Sequence, residues 1–433
     1  MLNLKDLFHN QNVRKFVSLL STDVLVRGAN FLLIPIFLYL MPMEEFGVYG
    51  YLYNFAITCS LIMNLGYQSA LPKMYSETKE DKVANSSMLF TLSSTLLGFV
   101  ASLFLIFYLT DLDYAFFNII NRDQNTLFDY KGYRPYLFIA LASMIFSNFL
   151  TYYFISAKKI RSIQSFNLIR LFICNSTVIL VLYFSNDSDT ALIRLSVTYV
   201  IELALCCIFS RQIIRESICK YSIPLIKKAL KIGLPICFVA LVNSFINFGD
   251  KQFVMMYCGS QAMGGYNLAT MLATIPLIVF QSFNFIWLPD FLDEKNLISL
   301  NQKTNKNSKI IVLLLLFISL VVWIGTYGLI EFGVFPADYG VILAYLPILL
   351  LAQIFAAMIL FYFNFFTYFE KTYVPMIISI LSAIPSVFLY NYWGQAYGVI
   401  GIASILAILN LLVLTTYIGF AKYYLRKRIR QVR

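Results

Sequence analysis

The sequence predicts an all-α, polytopic membrane protein of twelve transmembrane helices in two six-helix lobes, with both termini in the cytosol. Three observations predict it. Hydrophobic residues make up 60% of the 433 and charged residues 13%, with a mean hydropathy of +0.74, whereas the apolar share of soluble domains is roughly half. Apolar runs long enough to cross about 30 Å of hydrocarbon as helix recur along the whole chain. Basic residues collect on one side of the membrane that these runs define.

The runs lie at 16–40, 46–70, 84–109, 135–156, 164–184 and 191–210, then at 232–258, 262–288, 309–331, 341–369, 372–390 and 398–420. The first is too long for an export signal and lacks a small-residue cleavage site, so it is expected to stay as a spanning helix. None shows the alternation, over about ten residues, of a membrane β-barrel strand. With a cytosolic amino terminus, 26 of the 33 Lys and Arg fall in cytosolic segments, including Ala157 to Arg161, Ile226 to Lys231 and the tail Arg426 to Arg433. Arg122, Lys131 and Arg134 fall outside, in company with Asp111, Asp113, Asp123, Asp129, Asp187 and Asp189. This asymmetry is the positive-inside pattern, and it accounts for the net charge of +11 without a nucleic-acid partner. The basic tail is expected to lie against anionic lipid headgroups.

A shift of 217 residues lays Gly47, Tyr49, Pro72 and Glu77 on Gly264, Tyr266, Pro289 and Glu294, and Asn30 on Asn247. Pro135 and Lys159 match Pro347 and Lys371 at a shift of 212. An ancestral duplication is the reading, with an N-terminal lobe over 1–215 and a C-terminal lobe over 216–433. Transporters built from such parallel repeats bind cargo where the repeats meet and rock one against the other.

Polar residues repeat at helical spacing inside the runs. Asn243, Asn247 and Asp250 share one face of the seventh, with Ser244 and Lys251 beside them; Asp23, Arg27 and Asn30 repeat the pattern in the first. Asn267, Thr270, Thr274, Gln281 and Asn284 stripe the eighth. A charge at mid-bilayer costs about 3 kcal/mol, so these faces are expected to turn from lipid, either toward a hydrated cavity or toward one another as interhelical glue. Counted from the cytosolic end, Arg170 lies about 9 Å deep, Arg27 about 16 Å and Lys251 about 28 Å. The three make a ladder of cations suited to a mobile anion such as phosphate. Arg194, near the outer end of the sixth run, is expected to snorkel to the interface. Glu202, at mid-depth, is read as a partner of a neighbouring cation or as a proton carrier.

Other chemistry is missing. The single histidine, His9, precedes the first run, so acyl transfer or hydrolysis inside the membrane has no histidine base. There is no Gly-rich Lys-Ser/Thr phosphate loop, and the longest connecting segment, Thr110 to Arg134, is too short for a domain. The seven cysteines lack metal-ligand spacing and read as small apolar fillers. The chain is read as no enzyme and as carrying no cofactor.

Four stretches carry a resemblance: "EEFGVYGYLYNFA" (Glu44 to Ala56), "NLGYQSALPKMYSE" (Asn64 to Glu77), "LKIGLPICFVALVNSFINFGDKQFVMMYCG" (Leu230 to Gly259) and "AMGGYNLATMLATIP" (Ala262 to Pro276). In these, and over nearly its whole length, the chain resembles the oligosaccharide flippases, the O-antigen translocase type of polysaccharide biosynthesis protein. They belong to the multidrug, oligosaccharidyl-lipid and polysaccharide exporter superfamily. The family's Gly-Leu-Pro opening of the seventh helix is here Gly233, Leu234 and Pro235, and its Asp-Arg pair is Asp250 and Lys251, which keeps the charge and loses the bidentate fork.

The resemblance implies a MATE-like, two-lobed carrier of the bacterial inner membrane that moves a polyprenyl diphosphate-linked sugar repeat unit to the outer leaflet. Arg27, Asn30, Arg170, Asn247 and Lys251 would line its cavity. Asp23, Glu202 or Asp250 could couple transport to a proton or sodium ion. Expected partners are the lipid-linked oligosaccharide, membrane lipids and other glycan-assembly proteins. An ion-coupled multidrug or small-cation exporter of the same superfamily is the rival, though its cavity should be dominated by carboxylates. A membrane glycan polymerase would need a large outer loop with reactive side chains.

Overall fold

The computed structural model describes residues 26, 28–78, 80–120, 129–185, 188–216, 221–369, 371 and 373–432. Among them the backbone is helical nearly throughout and holds no strand. A bilayer core offers the peptide no hydrogen-bonding water, so each spanning segment satisfies its backbone within itself.

In chain order the helices are α1 (Gly28–Leu40), then α2 (Met43–Met63), α3 (Tyr67–Thr78), α4 (Lys82–Thr110), α5 (Leu112–Ile120), α6 (Tyr130–Ser156), α7 (Ile160–Phe184), α8 (Thr190–Glu216) and α9 (Ile223–Ala273). After these come α10 (Ile275–Asp293), α11 (Leu297–Glu331), a 3₁₀ segment (Ala337–Ala344), α12 (Leu346–Tyr368) and α13 (Tyr373–Val432). Short polar residues set several starts. The Asp81 carboxylate accepts from the Val83 and Ala84 amides at 2.9 and 3.1 Å to open α4, and the Asn296 side chain does the same for Ile298 and Ser299 at α11. The second apolar run is interrupted by Leu65 and Gly66 at φ 52° and 68°, which separates α2 from α3. Gly259 (φ 82°) and Gly398 (φ 57°) break α9 and α13 in the same way.

Among the described residues, nine helices are long and apolar enough to cross a membrane. The chain is a multi-pass membrane protein. The segment 110–134 contains α5, and Arg134 belongs to α6. The ninth run begins as helix at Leu297 rather than at 309, because hydropathy reports only the part of a helix that hydrocarbon covers.

The chain divides into two compact units, the first running to 119 and from 127 to 241, the second chiefly from Val242 onward. In the first, Cys237 Sγ meets the Ile62 carbonyl at 3.3 Å, so the start of α9 belongs with α2. The second is cored by rings: Trp287 stacks on Phe361 at 6.1 Å and Phe291 meets Phe365 edge-on at 4.9 Å. Lipid tails are as apolar as these side chains, so close packing rather than water exclusion holds such helices together.

Candidate functional site

The first unit carries an ionic centre deep between helices. Arg170 is the eleventh residue of α7. Its Nη1 donates to Glu202 Oε1 of α8 and to Ser147 Oγ of α6, both at 3.0 Å. The guanidinium also lies 5.6 Å from the Phe166 ring. Glu202 is closed in, with its side chain 8% exposed, whereas that of Arg170 keeps 36%. The lipid-facing side of α7 is marked by Phe172, Ile173, Leu180 and Val181, all exposed. Arg170 turns instead to α6 and α8. A cation at this depth with one counter-ion and open donors can take a second acceptor.

Tyr53 and Tyr199 lie within electrostatic reach of both Arg170 and Glu202. Near the N-terminal end of α8, Arg194 is enclosed by rings. It lies over the Phe37 ring at 3.7 Å and the Tyr49 ring at 4.0 Å, with Phe46 at 5.7 Å. Rings stabilise a guanidinium through the quadrupole of their faces, which offsets what reaching for the interface would gain.

The second unit has its own ion pair. Asp250 is buried, its side chain 2% exposed, and receives the Lys251 ammonium at 3.2 Å, the Lys251 amide at 2.8 Å and the Tyr266 hydroxyl at 2.8 Å. Lys251 is nearly as enclosed, at 12%. In this structure the Lys251 ammonium lies against the Asp250 carboxylate. In the polar stripe of the eighth run, an interhelical bond is made by Asn284. Thr270 and Thr274 bond to backbone carbonyls of their own helix, and Asn284 accepts from Asn364 Nδ2 of α12 at 2.9 Å.

Of the remaining expected residues, Asn30 sits on α1 and is exposed. Asp23, Arg27 and the side chain of Asn247 lie outside the described residues. The structure brings Arg170 to Glu202 and Lys251 to Asp250. Sequence reasoning missed the aromatic cage of Arg194, for which rings spaced along the first two runs were the only signal. It also missed a staple at the N-terminal end of α6: Arg134 bonds Asp111 at 2.9 Å and Asp113 at 3.0 Å while covering the Tyr114 ring at 4.5 Å. Its signal was the Asp-x-Asp pattern at 111–113.

A helical membrane fold with buried ion pairs inside each unit defines a polytopic membrane protein, and solved membrane proteins share the fold. The chain is similar to "Lipid II flippase MurJ, inward closed conformation" with a TM-score of 0.69 and 17% identity over 94% of this chain and 87% of that one. It is also similar to an inward-facing multidrug resistance MATE family transporter of the MOP superfamily, at 0.65 and 12% over 93% and 98%. The Vibrio cholerae MATE transporter VcmN aligns at 0.54 and 15% over 94% and 98%. No curated protein matches the sequence. The model of the polysaccharide biosynthesis protein family matches residues 12–293. The chain belongs to that family.

Proposed function

We propose that the protein is a flippase carrying a polyprenyl diphosphate-linked oligosaccharide repeat unit from the cytosolic to the outer leaflet of the bacterial inner membrane by alternating access. It is a transporter rather than an enzyme. The observation that carries this reading is Arg170: a guanidinium mid-way along a membrane helix, bound to one carboxylate and still 36% exposed. Membership of the polysaccharide biosynthesis family and the likeness to a lipid II flippase support it. Counting α9 with α10, and α13, as two crossings each at Gly259 and Gly398 gives twelve with α1. Both termini are then cytosolic, with lobes over 1–215 and 216–433. Arg27, Asn30 and Asn247 are proposed as further cavity contacts. Membrane lipids and glycan-assembly proteins are the proposed partners.

Arg170 also suggests how energy enters. An arriving diphosphate competes with Glu202 for the guanidinium. A proton or sodium ion that takes the place of Arg170 beside Glu202 is the proposed coupling step. Asp250 keeps a tethered cation and is freed from that role, and Asp23 remains a further candidate.

The test is deletion of the gene in its host, followed by complementation. The expected result is loss of glycan from the cell surface with lipid-linked repeat units accumulating on the inner leaflet, restored by the wild type and not by Arg170→Ala at equal membrane levels. Unchanged display on deletion overturns the reading. The MATE likeness favours a second reading, an ion-coupled exporter of small cations. In that case deletion sensitises cells to cationic drugs and leaves surface glycan intact.

A further inference from the structure

Arg194 differs from the other cations in kind. Arg134, Arg170 and Lys251 each hold a carboxylate. Arg194 forms no ion pair among the described residues. Its nearest partners are the faces of Phe37 and Tyr49, the Tyr49 side chain through a hydrogen bond, and the Met41 sulfur, which its Nη1 meets at 3.5 Å. Thioether sulfur is a weak acceptor. The carboxylate close by in the chain, Glu45, is engaged elsewhere, accepting the Ala191 amide at 2.9 Å.

The distinction matters for an anion. A guanidinium held by a carboxylate has its charge cancelled; one held by ring faces keeps its charge, and Arg194 offers a ligand the N–H groups beyond those that meet Met41 and Tyr49. Rings also fix the fork in place, so less freedom is lost when a ligand binds. Arg194 is thus the cation of this column in excess of an ion pair among the described residues, with the Glu45 carboxylate held about one turn away at the Ala191 amide.

Place along the helix gives the excess a direction. Arg194 precedes Glu202 by eight residues on α8, which is about 12 Å of helix. Arg170 is fixed at the level of Glu202 by their bond. Tyr53 of α2 lies within electrostatic reach of Arg170, Glu202 and Arg194 together, so the two cations belong to one polar column lined by phenols. We infer that Arg194 is a second diphosphate-binding rung, outward of Arg170, that receives the polyprenyl diphosphate headgroup when Arg170 returns to Glu202. The role that the sequence assigned to Lys251 falls to Arg194. This rests on the flippase reading and names a contact for its cargo.

Full-length protein in lipid nanodiscs is titrated with farnesyl diphosphate, and with inorganic pyrophosphate to separate a prenyl headgroup from a free anion. The expected result is that Arg194→Gln weakens farnesyl diphosphate at least tenfold and Arg194→Lys about threefold, with pyrophosphate weaker than farnesyl diphosphate on the wild type. A pin that merely ties α8 to α1 and α2 would lower the Tm of Arg194→Gln and leave its Kd at the wild-type value; that result overturns the proposal. A second measurement needs no variant. Phenylglyoxal modification of Arg194, read by mass spectrometry, should fall at least fivefold with farnesyl diphosphate and not with farnesol, and unchanged labelling overturns the rung. Wild-type protein that complements the deletion yet binds no farnesyl diphosphate also overturns it while leaving the flippase reading intact; failure to complement is instead the failure of that reading.

Discussion

A β-carbon on Gly66 would stand 2.1 Å from the carbonyl oxygen of Gly233, so the turn between α2 and α3 and the early part of α9 touch backbone to backbone. The two stretches Asn64 to Glu77 and Leu230 to Gly259 meet at this point. Lys228 and Glu77 close the same contact with an ion pair. Gly66 also holds φ 68°, a conformation that costs an L side chain about 1–2 kcal/mol. Gly66→Ala therefore adds a backbone collision to that strain. Its melting temperature in detergent, followed by fluorescence-detected gel filtration, should fall by at least 10 °C or the protein should aggregate. Gly98→Ala, with nothing within 4 Å of the new carbon, should melt like the wild type.

Arg134 and Asp113 are both closed from solvent, their side chains 10% and 8% exposed, while Asp111 is 63% exposed. Removing one partner of a buried pair costs about 3–5 kcal/mol, because the other charge is left without compensation. Arg134→Met should thus lower the melting temperature sharply. Arg134→Met with Asp113→Asn should recover at least half of the loss, since the stranded charge is gone.

Glu202→Gln removes the counter-ion of Arg170 but keeps a hydrogen-bond acceptor. The expected outcome is a protein that inserts normally, binds farnesyl diphosphate several-fold more tightly, and moves lipid-linked cargo at least tenfold more slowly in proteoliposomes. Tighter binding follows because the diphosphate no longer competes for the guanidinium; slower turnover follows because nothing draws Arg170 back. An imposed proton or sodium gradient should accelerate the wild type and not this variant.

Asp250 and Lys251 give the opposite expectation. Asp250→Asn alone strands an ammonium that is 12% exposed and should lower the melting temperature. Combined with Lys251→Met it should restore stability, since an ion pair replaced by neutral groups is often close to neutral overall. Transport by the double variant should stay within threefold of wild type. A loss as deep as that of Arg170→Ala would return Lys251 to the cargo path.

Two carboxyls, Glu77 exposed and Glu294 half-buried, set an acid limit. Hydrogen bonding to Lys228 holds Glu77 below its ordinary value of 4.5, and hydrogen bonding to Lys303 does the same for Glu294. A folded-state value below the unfolded one contributes stability that is present above about pH 4.5 and is lost as pH falls through the folded value. Melting temperature should hold between pH 8 and 5 and decline below that. Glu77→Gln with Glu294→Gln should flatten the decline and remove part of the plateau; an unchanged profile would assign acid sensitivity to other groups.

The site was legible only in parts. Spacing marks Arg170 and Glu202 as charges inside spanning helices, Glu202 at mid-depth and Arg170 about 9 Å from the cytosolic end. Their bond could not be read there, because 32 residues and a connecting turn separate them, and a helix's rotation toward its neighbour leaves no period of its own in the sequence. Arg194 was read as a residue free to reach the interface. Only the arrival of Phe37 and Tyr49 beside α8 changes that, and nothing in those two residues marks them from the other aromatic side chains of a membrane protein. Lys251 shows the reverse: Asp250 was visible next to it, yet neighbours one apart on a helix do not ordinarily face each other. Burial of both, with Tyr266 completing the acceptor's shell, closes the pair.

Composition and the length of the apolar runs determined that this chain is a helical membrane protein, because hydrocarbon leaves the peptide few ways to satisfy its backbone. Polar spacing determined which helix faces turn from lipid. Tertiary structure alone decided which cation is neutralised by a carboxylate and which is held by rings with its charge intact, since that depends on what neighbouring helices present at the same depth.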